Sequence, residues 1–178
     1  ASVLANALNI SSTTVRTWLD ILEQTFMVRL LQPYATNTKK RLIKSPKLYL
    51  RDSGILHELL DLRAINNVLS HPQIGASWEG LALENIITIL SDWTPSFYRT
   101  SNGAEIDLIL ERGQSRLAFE FKASSNPFLA KGFYSSLEDI DIDHAWVVVP
   151  EGESSPITKH ITLISLKECI SLLTKEYL

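Results

Sequence analysis

The stretch from Glu105 to Lys122 constrains the fold more than any other, because its own side chains check the register it implies. Glu105-Ile106-Asp107-Leu108-Ile109-Leu110-Glu111, then Arg112-Gly113-Gln114-Ser115, then Arg116-Leu117-Ala118-Phe119-Glu120-Phe121-Lys122 has the pattern of a β-hairpin. Its tight loop centres on Gly113-Gln114, with Gly first as a type II′ turn prefers. That register pairs Ile106 with Phe121, Leu108 with Phe119 and Leu110 with Leu117, an unbroken apolar face. The other face pairs Glu111 with Arg116, Ile109 with Ala118, Asp107 with Glu120 and Glu105 with Lys122.

Asp107 opposite Glu120 is the exception on that second face, since like charges directly across a strand pair destabilise a sheet. A divalent cation, Mg²⁺ or Mn²⁺, gripped by both carboxylates would compensate it. The backbone carbonyl of Phe121 and waters would complete the oxygen shell. Lys122 projects from the same face, where an ammonium would hold a water beside the metal and steady a phosphate under attack. An exposed sheet face that merely tolerates like charges would carry the same residues.

The helix expected over Ser77 to Leu90 adds a further acid. Trp78, Ala82, Ile86, Ile89 and Leu90 define its core-facing direction at about 100° per residue, and Glu79 falls within that sector. A core-facing carboxylate is costly unless it is paired, protonated or bound to a metal. Glu84, about 140° round the helix, is expected on the solvated side with Ser77, Gly80 and Thr88. Arg99, on the strand that follows, suits either a carboxylate partner or a phosphate.

The first 70 residues have a different character. They hold nine Lys/Arg against five Asp/Glu, whereas residues 71 to 178 hold eight against fifteen. The balance suits a polyanionic partner for the first part and cations for the second, although chance scatter on solvated surfaces gives the same count. Helices are expected over 2–8 and over 12–24, the latter with Val15, Trp18, Leu19 and Leu22 as its apolar residues. Strands are expected over 26–32 and 41–50 around a polar tip at 36–40. Two helices followed by a basic hairpin resemble a winged helix. Arg16, Lys39, Lys40, Arg41, Lys44 and Lys47 are the candidate DNA contacts, joined by Arg99 from the second part; a wing used only for packing remains the alternative. Asp52 or Ser53 is expected to cap a helix, and the polar stretch 66–75 is the expected boundary.

Beyond it the expected order is helix (77–90), strands (96–100, 105–111, 116–123), helix (129–139), strands (144–149, 160–164) and helix (166–176). The fold class is therefore α/β. A winged-helix-like segment over 1–65 is followed by an αβββαβ sandwich over 73–178. Ala145 to Val149 is uninterrupted and apolar, as in a strand buried on both faces.

Glu79, Asp107 and the run Glu120-Phe121-Lys122 resemble the signature of restriction endonuclease-like, or PD-(D/E)xK, nucleases, and within that superfamily the archaeal Holliday junction resolvases. The resemblance implies a catalytic set of Glu79, Asp107, Glu120 and Lys122, with Mg²⁺ on Asp107 and Glu120 and with Lys122 assisting the attacking water. Ser45-Pro46-Lys47-Leu48-Tyr49-Leu50-Arg51-Asp52-Ser53-Gly54, Trp78-Glu79-Gly80-Leu81 and Tyr98-Arg99-Thr100 through Lys122-Ala123-Ser124 look like motifs of a narrower group. This is the domain of unknown function that follows the ATPase module in a family of bacterial AAA-type ATPases. In that family a winged helix precedes the nuclease-like domain. The expected function is a metal-dependent, DNA-acting phosphodiesterase module; the alternative is an inactive nuclease-like fold that binds DNA or protein for the ATPase. No Gly-x-x-x-x-Gly-Lys-[Ser/Thr] run occurs, so ATP binding is expected of an upstream ATPase module rather than of this stretch. Homo-oligomerisation is left open.

Several classes receive no support from the residues. Uncharged apolar runs fall far short of the roughly 20 residues a bilayer span needs, and Ala1-Ser2-Val3-Leu4 lacks the charged start of a secretory signal. A cytoplasmic location without a membrane partner is the expectation. It agrees with the lone Cys169, which lies in an apolar helical pattern and is expected in the core. The four histidines lack zinc-ligand spacing, no Gly-x-Ser-x-Gly elbow occurs, and Asp139-Asp141-Asp143 lacks the Gly and Glu of a calcium loop.

Overall fold

The computed structural model describes residues 2–35, 40–142 and 144–177. Eight strands form one mixed sheet: β1 (Val28–Pro33), β2 (Lys47–Leu50), β3 (Thr94–Arg99), β4 (Glu105–Arg112), β5 (Ser115–Phe121), β6 (Ala145–Val149), β7 (Ser155–Thr158) and β8 (Ile161–Ser165). Their spatial order is β2-β1-β3-β4-β5-β6-β8-β7. Seven helices accompany them among the described residues: α1 (Ser2–Leu8), α2 (Ser12–Gln24), α3 (Ser53–Leu59), α4 (Ile65–Ser70), α5 (Ile74–Ile89), α6 (Lys131–Ile140) and α7 (Leu166–Tyr177). From α5 onward the order is α-β-β-β-α-β before β7, β8 and α7 follow. None of these helices is long and apolar enough to cross a membrane.

Two apolar clusters sandwich the sheet. One packs Ala82, Leu83 and Ile86 of α5 and Cys169 and Leu173 of α7 onto Leu108, Phe119, Trp146 and Val148. The other packs Phe133, Leu137 and Ile140 of α6 onto Tyr98, Ile109, Ala118 and Val147. Neighbouring residues of β6 thus enter opposite clusters, which is why all five of its residues are buried.

The first region is continuous with this sheet. β1 pairs antiparallel with β2 and parallel with β3, through Gln32 to Ser96 and Pro33 to Phe97. One sheet therefore runs past the polar stretch at 66–75, which itself carries most of α4 and the start of α5 rather than an extended linker. β2 is shorter than the strand expected over 41–50: Pro46 interrupts it, and residue 42 makes only an isolated bridge to Thr100. The polar tip around Lys39 lies outside the described residues. Ser11 caps α2 by accepting from the Thr14 N–H, and Asp52 caps α3 by accepting from Gly54 and Ile55. Only Val15 of α2 is buried; Trp18 is 50% exposed, so the apolar stripe of that helix is largely uncovered rather than in the core.

The β4–β5 hairpin turns as expected, with Gly113 at φ +64°, and pairs Leu108 with Phe119, Ile109 with Ala118, Leu110 with Leu117 and Glu111 with Arg116. The expected register stops there. Against β3, the ladder passes from Ser96–Ile109 to Tyr98–Ile106, so β4 holds one residue more than its partner in this interval. That is a β-bulge at Asp107-Leu108. Beyond it the alternation is shifted: Ile106 joins the cluster under α6, while Phe121 stays in the cluster under α5. The expected pairs Ile106–Phe121, Asp107–Glu120 and Glu105–Lys122 are replaced. The Asp107 carboxylate instead accepts the backbone N–H of Phe121 at 3.0 Å.

Candidate acidic cleft

The bulge, the end of β5 and the first turns of α5 meet at one end of the sheet. Glu79, Asp107, Glu120, Phe121 and Lys122 all line a single cleft there, of about 410 Å³, together with Glu105. Glu79 comes from α5, Glu105 and Asp107 from the bulged end of β4, and Glu120 and Phe121 from the end of β5. Lys122 follows directly, its backbone N–H bonded to the Val148 carbonyl.

Lys47 is also present, delivered by β2. Its Nζ lies 2.6 Å from Glu105 Oε1, 3.0 Å from Glu79 Oε1 and 3.2 Å from Asp107 Oδ1. Lys47 was expected among the DNA contacts; it is instead the central cation of an acidic cluster. Tyr49, two residues on and on the same face of β2, donates its hydroxyl to Glu79. Burial draws the Lys47 ammonium pKa down, but the fields of Asp107, Glu79, Tyr49 and Glu105 outweigh it and hold the pKa well above its ordinary value. The Tyr49 hydroxyl is pushed up by burial and then by Glu79.

Glu120 has a different environment. Lys122 Nζ lies 2.7 Å from Glu120 Oε1, whereas Glu120 Oε2 is buried with no hydrogen-bond partner. Burial first, and the Asp107 charge second, push the Glu120 carboxyl up to about 8 against the pull of Lys122. For the Lys122 ammonium burial acts downward, yet Glu120, Asp107 and Glu79 leave it raised overall. Among the described residues no three His, Cys, Asp or Glu side chains stand in position to hold one metal ion together.

The other candidate contacts are dispersed. Lys40, Arg41 and Lys44 line a shallow cleft of about 680 Å³ with Ser101, and Lys40 also pairs with Asp139 at 2.7 Å. Arg16 and Lys44 share a groove of about 730 Å³ between the first two helices and the hairpin. Arg99 takes the carboxylate partner, Glu105, at 3.3 Å.

Glu84 corrects the helix reading. It is 7% exposed and is held by Arg29, by Nε and by Nη2 at 3.0 Å, and by Arg51 Nε at 2.8 Å. The helix periodicity in the sequence marks one buried face on α5, but β2 and α3 cover a second one. Gly80 lies under Tyr49, and Ser77 bonds His57 at 2.7 Å. The signal available in the sequence was the Lys47–Tyr49–Arg51 alternation, which sends three polar side chains to one face of a strand.

Comparison with known proteins follows the same two regions. Residues 1–66 match a family model described as domain of unknown function DUF8612, and residues 74–169 match domain of unknown function DUF4143. Uncharacterized protein Rv2008c of Mycobacterium tuberculosis and uncharacterized protein Mb2031c of Mycobacterium bovis are each 33% identical to the chain over 168 residues. The match covers 94% of this chain and 38% of each relative. No solved structure matches. The DUF4143 match contains the α5 acid, the bulged hairpin and the Glu120–Lys122 run, and with more than half of the residues inside it, the chain belongs to the DUF4143 family.

Proposed function

We propose that the chain is the Mg²⁺- or Mn²⁺-dependent, DNA-acting phosphodiesterase module of a bacterial AAA-type ATPase, with a winged helix over its first region and a restriction endonuclease-like domain over its second. The observation that carries this reading is the gathering of Glu79, Asp107, Glu120 and Lys122 in one cleft. The α-β-β-β-α-β order from α5 to β6 supports the fold assignment, and the resemblance to the domain following the ATPase module supports the context.

The donors suit a hard divalent cation. They are all oxygens, and Glu120 Oε2 is a buried acceptor lacking a partner. Asp107, Glu120 and the Phe121 carbonyl would hold the ion, with water at the remaining positions, as Mg²⁺ sites built on one or two carboxylates allow. When bound, the ion supplies a polarised phosphate and a water of lowered pKa. Lys122 offers its ammonium to the attacking water and to the charge that grows on the phosphate. Glu79 closes the acidic wall from α5, and Arg16, Arg41 and Lys44 provide exposed cations for the DNA backbone.

One observation favours a second reading, in which the cleft is inactive and the fold serves the ATPase as a DNA- or protein-binding module. Lys47 already occupies the site as a cation paired with Glu79, Glu105 and Asp107. The test is incubation of the 178-residue chain with supercoiled, linear and branched DNA in Mg²⁺ or Mn²⁺, alongside Asp107→Ala and Lys122→Ala variants shown by circular dichroism to be folded. Metal-dependent nicking lost in both variants is the expected result. Nicking that persists in the pure variants overturns the proposal, and DNA binding without nicking by the wild type selects the second reading.

A further inference from the structure

The bonds around Lys47 are not equivalent in what they leave behind. If the ammonium swings away, Glu79 keeps the Tyr49 hydroxyl and Glu105 keeps Arg99 through Oε2. Asp107 keeps the Phe121 N–H on Oδ2, but its Oδ1 loses its cation. Departure of Lys47 therefore uncovers two carboxylate oxygens, Glu105 Oε1 and Asp107 Oδ1; Glu105 keeps a cation in Arg99, whereas Asp107 keeps none, in the cleft where the 7% exposed Glu120 already holds Oε2 without a partner. Four rotatable bonds link the ammonium to β2, so the side chain can move without the strand.

We propose that Lys47 is an internal cation that competes with a divalent metal for the cleft, so that metal binds when the ammonium leaves Asp107. This rests on the nuclease-like reading of the site and adds a gate to it. The three donors of an ammonium match the three carboxylates that surround it, and an ammonium and a metal ion cannot both take Asp107 Oδ1. The gate belongs to the first region: β2 carries Lys47, and among the described strands β2 is an edge strand paired with β1 alone. Whatever engages the hairpin, DNA on its basic side included, would act on Asp107 through the Lys47 side chain.

The experiment is calorimetric titration of Mn²⁺ into the wild-type chain, Lys47→Met and Asp107→Ala, each first stripped with chelator. Lys47→Met is expected to bind Mn²⁺ at least tenfold more tightly than the wild type, and Asp107→Ala to bind none. Equal affinities for wild type and Lys47→Met overturn the gate while leaving a metal-dependent nuclease standing. Tighter binding by Lys47→Met with no DNA cleavage by either protein upholds the gate and removes the nuclease assignment. Absence of Mn²⁺ binding by both removes both. If Lys47→Met does not fold, acetylation of Lys47 by an N-hydroxysuccinimide ester, read by mass spectrometry in the wild type, decides. Labelling that rises with Mn²⁺ upholds the gate, and labelling that stays flat at the highest Mn²⁺ overturns it.

Discussion

Lys122 and Glu120 are two residues apart and bonded to each other at 2.7 Å, yet the pair satisfies only one oxygen of the Glu120 carboxylate. The other oxygen is buried without a donor, an arrangement that favours the protonated acid.

A pH dependence of stability follows. The Glu120 carboxyl is raised from 4.5 to about 8, chiefly by burial. The folded state therefore binds a proton that the unfolded state releases between these values, and stability declines as pH rises through that window. In metal-free buffer the melting temperature of the wild type is expected to fall from pH 5 to pH 8. Glu120→Gln, neutral throughout, should flatten that decline and melt above the wild type at pH 8. A parallel decline in both proteins would rule out Glu120 as its source.

Glu84 anchors the first region to α5. Its replacement by Ala leaves Arg29 and Arg51 facing each other without a counter-charge, in positions only 19% and 26% exposed. A loss of about 3 kcal/mol is expected, the lower range for breaking a buried pair because both guanidiniums reach some solvent. Urea denaturation measures it directly, and a loss below about 1 kcal/mol would show that the two arginines find water instead.

Gly132 opens α6 where the helix meets the loop before β4. A Cβ there would lie 2.9 Å from Ala104 Cα and 3.3 Å from Ala104 Cβ. Alanine normally gains about 1 kcal/mol over glycine inside a helix, but here a backbone atom would have to yield. Gly132→Ala is expected to destabilise by about 1–3 kcal/mol. The displaced Ala104 adjoins Glu105, so the variant should also loosen Lys47, visible as increased Lys47 acetylation.

Cys169 is fully buried between α7 and the sheet, and burial pushes its thiol up to about 12. Ellman's reagent should leave the native chain unlabelled for hours and titrate one thiol in guanidinium chloride. Rapid native labelling would mean that α7 opens locally.

How much of this was legible in the sequence depends on how many elements fix each feature. The hairpin register from Leu108 to Arg112 needed only two strands and a turn, and it stands as expected. Ile106 and Asp107 required a third strand, because the bulge forms where β4 must also match β3, and no alternation within the hairpin announces it. Glu79 was legible as a protein-facing acid from helix period alone. Glu84 was not, because the second buried face of α5 is created by β2 and α3, distant in sequence. The surroundings of Lys47 were not legible for the same reason: a lysine in a basic run resembles a phosphate contact until the fold sets three carboxylates around it.

The parallel pairing of β1 with β3 bears on how the protein can be divided. The two matched regions meet in the sequence near residue 70, but a chain cut there would leave β3 as a bare edge, with its N–H and C=O groups and the apolar Phe97 uncovered. Such an edge recruits strands from neighbouring molecules. The second region made alone should therefore self-associate, whereas the whole stretch should unfold in a single transition as one cooperative unit.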